Sequence, residues 1–117
     1  MYNKVLEVQL AQIEMIRPGV KTKDIHKLGC DMFIEAGYHI GKEGFAHATG
    51  HGFGLEIHES PRLANWSEEV LEAGNIITIE PGLYYPALGG VRIEDDILVT
   101  QNGHENLTNL DKEFRIF

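Results

Sequence analysis

Three histidines near the middle of the chain are the residues best able to carry chemistry. His47, His51 and His58 fall within twelve residues of the segment HATGHGFGLEIHESP, which spans 47–61, and they make up half of the six histidines in the sequence. Imidazole binds divalent metal ions and exchanges protons near neutral pH. The spacing therefore indicates a metal-binding or acid–base site, although any one of these histidines alone could be an ordinary residue beside a turn.

The spacing of His47 and His51 would place both on one face of a helix, as in some zinc sites. Three glycines between positions 50 and 54 disfavour that helix. They are typical of an extended segment whose backbone approaches a neighbour closely. Alternating residues over 54–58 then predict a short strand that ends at His58.

Two glutamates in apolar, strand-like surroundings could converge on the same point. Glu80 ends the run NIITIE and shares a strand face with Thr78, while Glu94 lies between isoleucines with Arg92 on its own face. A buried carboxylate must be paired, protonated or bound to metal. The alternative for Arg92 and Glu94 is an exposed pair of charges. One imidazole and two carboxylates suit Mn²⁺, Fe²⁺ or Co²⁺, and Zn²⁺ also accepts them.

Helical periodicity predicts that two helices precede these motifs. The first spans about 3–17, with Asn3 as its cap, and ends before Pro18-Gly19. The second begins at Thr22 and ends at Gly37. Their predicted apolar faces contain Leu6, Leu10, Ile13 and Ile16 in the first helix and Ile25, Leu28, Met32 and Ala36 in the second.

The rest of the chain has β and turn character. We predict strands at 38–40, 75–80, 83–85 and 91–100, and a helical turn at 67–71. Helices followed by strands predict an α+β domain with an antiparallel sheet. A length of 117 residues is consistent with one domain covering 1–117.

Composition narrows the possible partners and location. The formal net charge of −8 argues against nucleic acid or an anionic membrane as a partner. No apolar run approaches the roughly 20 residues of a membrane span. The single cysteine, Cys30, cannot form an internal disulfide and is expected in the core, which favours a cytoplasmic location.

Three motifs together resemble the signatures of the pita-bread metallopeptidases. They are HATGHGFGLEIHESP at 47–61, ITIEPGLY at 77–84 and GVRIEDD at 90–96. The nearest resemblance is to aminopeptidase P and prolidase (Xaa-Pro dipeptidase), with creatinase as a non-peptidase relative. The resemblance implies half of a pita-bread fold, hydrolysis of Xaa-Pro bonds, and a peptide substrate with proline at its second position.

The resemblance also implies a role for each candidate residue. His51 and Glu80 resemble ligands of one metal ion, and Glu94 resembles the glutamate that bridges two ions, which could be Mn, Co, Fe or Zn. His47 and His58 resemble substrate-contacting groups, and Glu80 also resembles an acid or base for the bridging water. Arg92 resembles the arginine that lies beside the bridging glutamate.

One departure from the family pattern limits this interpretation. The family's site also uses two aspartates from strands that precede the first helix, and no aspartate of this sequence matches them. We therefore expect the chain to be the C-terminal portion of the catalytic domain without its N-terminal half, and to be inactive alone. Exposed sheet edge and apolar surface would favour a homo-oligomer or a complementing chain. A non-catalytic peptide-binding or assembly module and a creatinase-like amidinohydrolase remain open alternatives.

Overall fold

In the computed structural model, which describes residues 1–117, two helices precede seven short strands. This order confirms the predicted α+β class. No helix has the length and apolar character needed to cross a membrane. The elements are α1 (Tyr2–Glu14), α2 (Thr22–Glu35), β1 (Gly50–Gly52), β2 (Glu59–Leu63), β3 (Ile76–Ile79), β4 (Gly82–Tyr85), β5 (Gly89–Arg92), β6 (Asp95–Val99) and β7 (His104–Asn106).

The strands form one antiparallel sheet of five strands and a separate hairpin. The sheet has the order β2-β1-β3-β6-β7, and β4 pairs with β5 in the hairpin. Two apolar clusters bury the helices against these strands. The larger one contains Ile13, Ile16, Ile25, Leu63, Leu71, Ile77, Ile79, Ile97 and Val99, and the other contains Val5, Val8, Phe33, Phe45, Leu83 and Ile93.

The first helix buries a face that is only partly the predicted one, because Ile13 and Ile16 are buried as expected but Leu10 is not. Asn3, expected as the cap, lies inside α1. Leu10 is 49% exposed, whereas Gln9 and Gln12 are fully buried. The pattern of apolar residues did not predict that these glutamines are buried. Their amides are compatible with the interior only because they form hydrogen bonds to groups that are distant in the sequence. The helix also ends at Glu14 and not at Arg17.

The second helix follows its predicted limits but is rotated relative to its predicted face. Gly37 follows α2 with a φ of +83°, a conformation that favours glycine, while Ala36 is exposed. Gly29 is buried where α2 meets α1. A Cβ atom at Gly29 would lie 2.3 Å from Nε2 of Gln12. The absence of a side chain at Gly29 thus permits the close contact between the two helices.

Two predicted elements preceding β3 are wrong. Residues 54–58 form exposed bends, and the strand begins at Glu59 instead. That strand, β2, contains Pro61 and is an edge strand, where the missing N–H of proline is tolerated. The helical turn predicted at 67–71 does not form, because Val70 makes a β-bridge to Lys21.

Three further β predictions need correction. The predicted strand at 38–40 is reduced to a bridge between Ile40 and Phe45. The continuous strand predicted at 91–100 is divided into β5 and β6, with Ile93 and Glu94 between them. The strand at 83–85 forms, but within the hairpin, and β7 was not predicted at all.

The two ends of the chain lie against each other. The Tyr2 hydroxyl donates to the carbonyl oxygen of Lys112 at 2.7 Å, and the rings of Tyr2 and Phe114 are 5.0 Å apart. Lys112 also forms an ion pair with buried Asp95 at the start of β6. The segment after β7 therefore packs across the first turn of α1.

We predict that Gly29→Ala destabilises the chain by about 1–3 kcal/mol, the usual cost of overpacking a core. The added methyl group would displace the Gln12 amide from the Ile25 carbonyl and the Thr49 hydroxyl, to which it donates at 3.0 and 2.9 Å. Thermal and urea unfolding measure the change. Gly103→Ala, where a Cβ atom meets nothing within 4 Å, is the control. Equal stability of the two variants would contradict the prediction.

Candidate metal-binding site

The centre of the candidate site is a contact between His51 and Glu80. His51 lies on β1, and Glu80 follows the last residue of the adjacent strand β3. Nε2 of His51 is 3.1 Å from Oε1 of Glu80, and both side chains are 13% exposed. The Glu80 amide donates to the Thr49 carbonyl at 2.7 Å, which holds Glu80 beside the start of β1.

Glycines beside His51 are required because neighbouring strands approach β1 too closely for side chains. A Cβ atom at Gly50 would lie 1.8 Å from the carbonyl oxygen of Thr78, and one at Gly52 would lie 2.2 Å from that of Ser60. Neither glycine has a positive φ, so space and not backbone conformation sets the requirement. The close backbone approach predicted from this motif is confirmed.

The hydrogen bonds of His51 leave its Nε2 lone pair directed at a carboxylate. Nδ1 of His51 is 2.9 Å from the Gly52 carbonyl oxygen, so Nδ1 carries the proton and donates. Oε1 of Glu80 already accepts from the Thr78 hydroxyl at 2.9 Å. Two acceptors therefore face each other, and a cation between them, either a proton or a metal ion, would satisfy both.

The separation of His51 and Glu80 fits a shared metal ion. Metal–nitrogen and metal–oxygen distances are about 2.0–2.2 Å, and 3.1 Å is less than the sum of two such distances. Hydrogen bonding of the other ring nitrogen to a carbonyl is also the usual arrangement for a metal-binding histidine. On both counts this imidazole–carboxylate pair fits a divalent metal.

Glu94 and Arg92 extend the site beyond this pair. Nε of Arg92 lies 3.9 Å from Oε2 of Glu80 and 3.9 Å from Oε2 of Glu94, so one guanidinium faces two carboxylates. Partial burial raises the pKa of Glu94, and the negative charge of Glu80 raises it further, while Arg92 opposes the shift. Because Glu94 is 44% exposed, solvent screens these interactions considerably.

The other two histidines of the motif have different surroundings. The ring of His58 is 4.2 Å from that of His51, centroid to centroid, on the exposed bend before β2. Nδ1 of His47 is 2.7 Å from the Ala48 carbonyl oxygen and donates to it. Nε2 of His47 then accepts from the Tyr84 hydroxyl at 2.9 Å.

Two adjoining depressions connect all the residues singled out from the sequence. One has a volume of about 450 Å³ and the other of about 400 Å³, and they share His51, His58, Glu80 and Arg92 in their walls. Glu94 lines the first depression, and His47 lines the second. Nowhere in the chain do three or more His, Cys, Asp or Glu side chains converge closely enough to hold a metal ion.

Two residues of the site were not assigned a role from the sequence. Thr78 bonds both the His51 amide, at 3.1 Å, and the Glu80 carboxylate, and Tyr84 holds His47. The strand alternation that places Thr78 on the face of Glu80 was visible in the sequence. No local signal indicated Tyr84, because the hairpin β4–β5 brings it to His47 from a separate sheet.

Cys30 and His26 form a separate contact away from this site. The Cys30 sulfur is 3.4 Å from Nε2 of His26, and Cys30 is only half-buried, so its expected core position is confirmed in part. Burial raises the pKa of the Cys30 thiol. Burial lowers the pKa of His26, and the electrostatic effect of nearby His47 lowers it further.

Comparison with known proteins identifies relatives for nearly the whole chain. An Xaa-Pro dipeptidase from Pyrococcus horikoshii is 46% identical over 112 residues, which is 96% of this chain and 31% of the relative. An uncharacterised peptidase of Staphylococcus haemolyticus is 52% identical over 111 residues, covering 95% of this chain and 31% of that protein. The chain thus spans about a third of the length of the curated relatives that it matches.

The fold has close counterparts among solved structures. The structure of an Xaa-Pro dipeptidase from Bacillus anthracis matches with a TM-score of 0.91 and 50% identity, over 99% of this chain and 32% of that one. The predicted half of a pita-bread fold is confirmed by this match. The sequence model for metallopeptidase family M24 matches residues 1–101. The chain therefore belongs to metallopeptidase family M24.

Proposed function

We propose that this chain provides the histidine and glutamate ligands of a metallopeptidase that hydrolyses Xaa-Pro bonds. Membership of family M24 implies dependence on a divalent metal. The observation that carries the proposal is the 3.1 Å contact between His51 and Glu80, in which two acceptors face each other. Glu94, on the other side of Arg92, would complete the donors of this chain to two ions of Mn, Co, Fe or Zn.

Bound metal would activate a water molecule and polarise the peptide carbonyl, so that no covalent nucleophile is needed. The side chains of this chain bind, orient and transfer protons. Glu80 accepts the Thr78 hydrogen bond on Oε1, which leaves Oε2 to take a proton from the water. Arg92 lies 3.9 Å from Oε2 of Glu80 and of Glu94, and its positive charge offsets part of the repulsion between the two carboxylates.

His47 and His58 are proposed to contact the peptide. The ring of His58 makes no hydrogen bond within the chain and lies on the exposed bend, so it is available to a substrate carbonyl oxygen. The ring of His47 is fixed at both nitrogens, by the Ala48 carbonyl and the Tyr84 hydroxyl. We infer that its Nε2 exchanges Tyr84 for the peptide when substrate binds. The names of the relatives, which are Xaa-Pro dipeptidases, support a peptide with proline at its second position.

The remaining metal ligands are proposed to come from outside residues 1–117, which we regard as one C-terminal catalytic portion. Two aspartates of the family pattern have no match in this sequence, and the chain spans 31% of its relatives. Two apolar side chains at the rim of the site are exposed: Leu55 fully and Ile57 to 78%. A second copy or a complementing chain would cover them.

The free thiol of Cys30 supports a cytoplasmic location.

A non-catalytic role is the second candidate. The absence of three converging donors favours it, because a site with two or three ligands holds metal weakly. The same fold would then bind a peptide or take part in assembly. A creatinase-like amidinohydrolase would use the same donors and is distinguished by its substrate.

We predict that the purified chain with added Mn²⁺ or Co²⁺ does not cleave Xaa-Pro dipeptides, because two family ligands are missing. Release of free proline, followed against a full-length prolidase as positive control, measures this. Creatine assayed in parallel tests the amidinohydrolase alternative. Turnover that disappears in His51→Ala would contradict the prediction and would imply that a second copy supplies ligands.

We predict that the chain nevertheless binds Co²⁺ weakly, and that His51→Ala weakens binding by at least about tenfold, since loss of even a supporting group costs metal sites 10–100-fold. Calorimetric titration measures the half-saturation concentration. The control is His39→Ala, which removes an exposed imidazole outside both depressions. Equal binding by the two variants would show that His51 is not a ligand and would favour the non-catalytic role.

We predict that Glu94→Gln stabilises the metal-free chain at alkaline pH. The folded-state pKa of Glu94 is raised, so protonation favours folding, and this contribution disappears as pH rises through the folded pKa. With a chelator present, the variant should unfold at a higher temperature than the wild type at about pH 8. The two unfolding temperatures should converge at about pH 3, where the carboxyl is largely neutral in both the folded and the unfolded state.

Added Co²⁺ should reduce or reverse the alkaline advantage of Glu94→Gln, because a metal ion favours the carboxylate. The matched control is Glu105→Gln, an exposed carboxylate on β7 outside both depressions. A Glu94→Gln variant that is no more stable than this control at alkaline pH would argue against the close approach of the two glutamates.

A further inference from the structure

A buried glutamine on α1 joins the two chain segments that carry the candidate carboxylates. Gln9 is fully buried. Its side-chain Nε2 donates to the carbonyl oxygen of Ile79 at 3.1 Å and to that of Ile93 at 3.2 Å. Both hydrogens of the amide are therefore used, and each bonds a backbone group far away in the sequence.

The orientation of the Gln9 amide is fixed from its other side. The Lys112 ammonium donates to Oε1 of Gln9 at 2.8 Å. An ammonium group only donates, so the amide oxygen must face Lys112 and the amide nitrogen must face the strands. Asp95, which is buried, pairs with the same ammonium and holds Lys112 in place.

The two bonded carbonyls belong to the residues directly before Glu80 and Glu94. Ile79 is the last residue of β3, and Ile93 lies in the break between β5 and β6. The amide of Ile93 has only a long bond, of 3.4 Å, to the Pro81 carbonyl. Ladder hydrogen bonds thus give little support where Glu94 leaves the backbone, and the Gln9 amide provides a connection there.

We propose that Gln9 is a positioning residue that sets the spacing of Glu80 and Glu94, and that Lys112 orients its amide. Ligand positions must be held to within roughly 0.5 Å for a functional metal site, and a shared amide restrains both backbones at once. We call the Gln9 amide, with its bonds to the carbonyls of Ile79 and Ile93, the clamp. The role of the clamp in metal binding rests on the function proposed above. The clamp itself does not, because it is a property of the metal-free chain.

The clamp is tested by Gln9→Met in the full chain, which keeps the side-chain volume but removes the amide. Hydrogen exchange followed by mass spectrometry reports opening in segments 76–84 and 91–99, with 22–36 as a reference. Gln12→Met is the matched control, since Gln12 is equally buried on α1 but bonds Ile25 and the Thr49 hydroxyl. Gln9→Asn, which keeps an amide too short to reach both carbonyls, serves if Gln9→Met does not fold.

We expect exchange in 76–84 and 91–99 to rise by at least about tenfold in the Gln9 variants, beyond any change in 22–36, since local opening adds to global unfolding. Gln12→Met should leave exchange in 91–99 near the wild-type rate, since Gln12 bonds neither Ile79 nor Ile93, and any change should fall in 22–36, which contains its partner Ile25. A uniform rise across all three segments in the Gln9 variants would overturn the clamp and leave Gln9 as an ordinary core residue.

Titration with Co²⁺ then separates the clamp from the proposed function. Where the wild type binds Co²⁺, half-saturation in Gln9→Met should need about tenfold more metal than in Gln12→Met, as for other groups that support metal ligands. Equal half-saturation concentrations of Co²⁺ for Gln9→Met and Gln12→Met would overturn the positioning role. A wild type that binds no Co²⁺ would refute the proposed ligand set, and the exchange measurement would still decide whether the clamp exists.

Discussion

The antiparallel pairing of β3 with β1 on one side and β6 on the other is the constraint on which the candidate site depends. Backbone hydrogen bonds fix the distance between these strands, and glycines at positions 50 and 52 allow the close approach. His51 on β1 and Glu80, which directly follows β3, are consequently held 3.1 Å apart by the pairing of the two strands. Glu94 directly precedes β6, the strand that pairs with the other edge of β3.

The electrostatic balance of the site is poor for a protein without metal. A histidine lone pair, a carboxylate and a second carboxylate share a small region, and a single guanidinium, 52% exposed, lies between the two acids. A purely structural network would pair each acceptor with a donor. The Nε2 lone pair of His51, which faces a carboxylate and not a donor, is instead the expected feature of a site whose full charge balance includes a cation.

The sequence was sufficient for the fold class, both helices and the central strand, because these depend on periodicity and turn chemistry. The glycine-flanked His51 and the strand-terminal Glu80 were found because their residue types are unusual in those positions. The roles of buried Gln9 and of Tyr84 were not found, because they arise from contacts between residues that are distant in the sequence. Gln9 bonds carbonyl groups 70 and 84 residues away, and Tyr84 bonds a histidine 37 residues away. Local patterns also predicted a strand at 54–58, where alternation exists but no neighbouring strand is available to pair.

The contact between Tyr2 and the segment around Lys112 has a consequence for the connectivity of the domain. Because the first helical turn and the final residues touch, a short linker could join residues 1 and 117, and new ends could be opened at an exposed bend. The exposed residues 54–58 are one such position, but opening there would separate His51 from His58 along the chain. A permuted chain of this kind would retain the spatial order of strands while reversing which half of the motif is synthesised first.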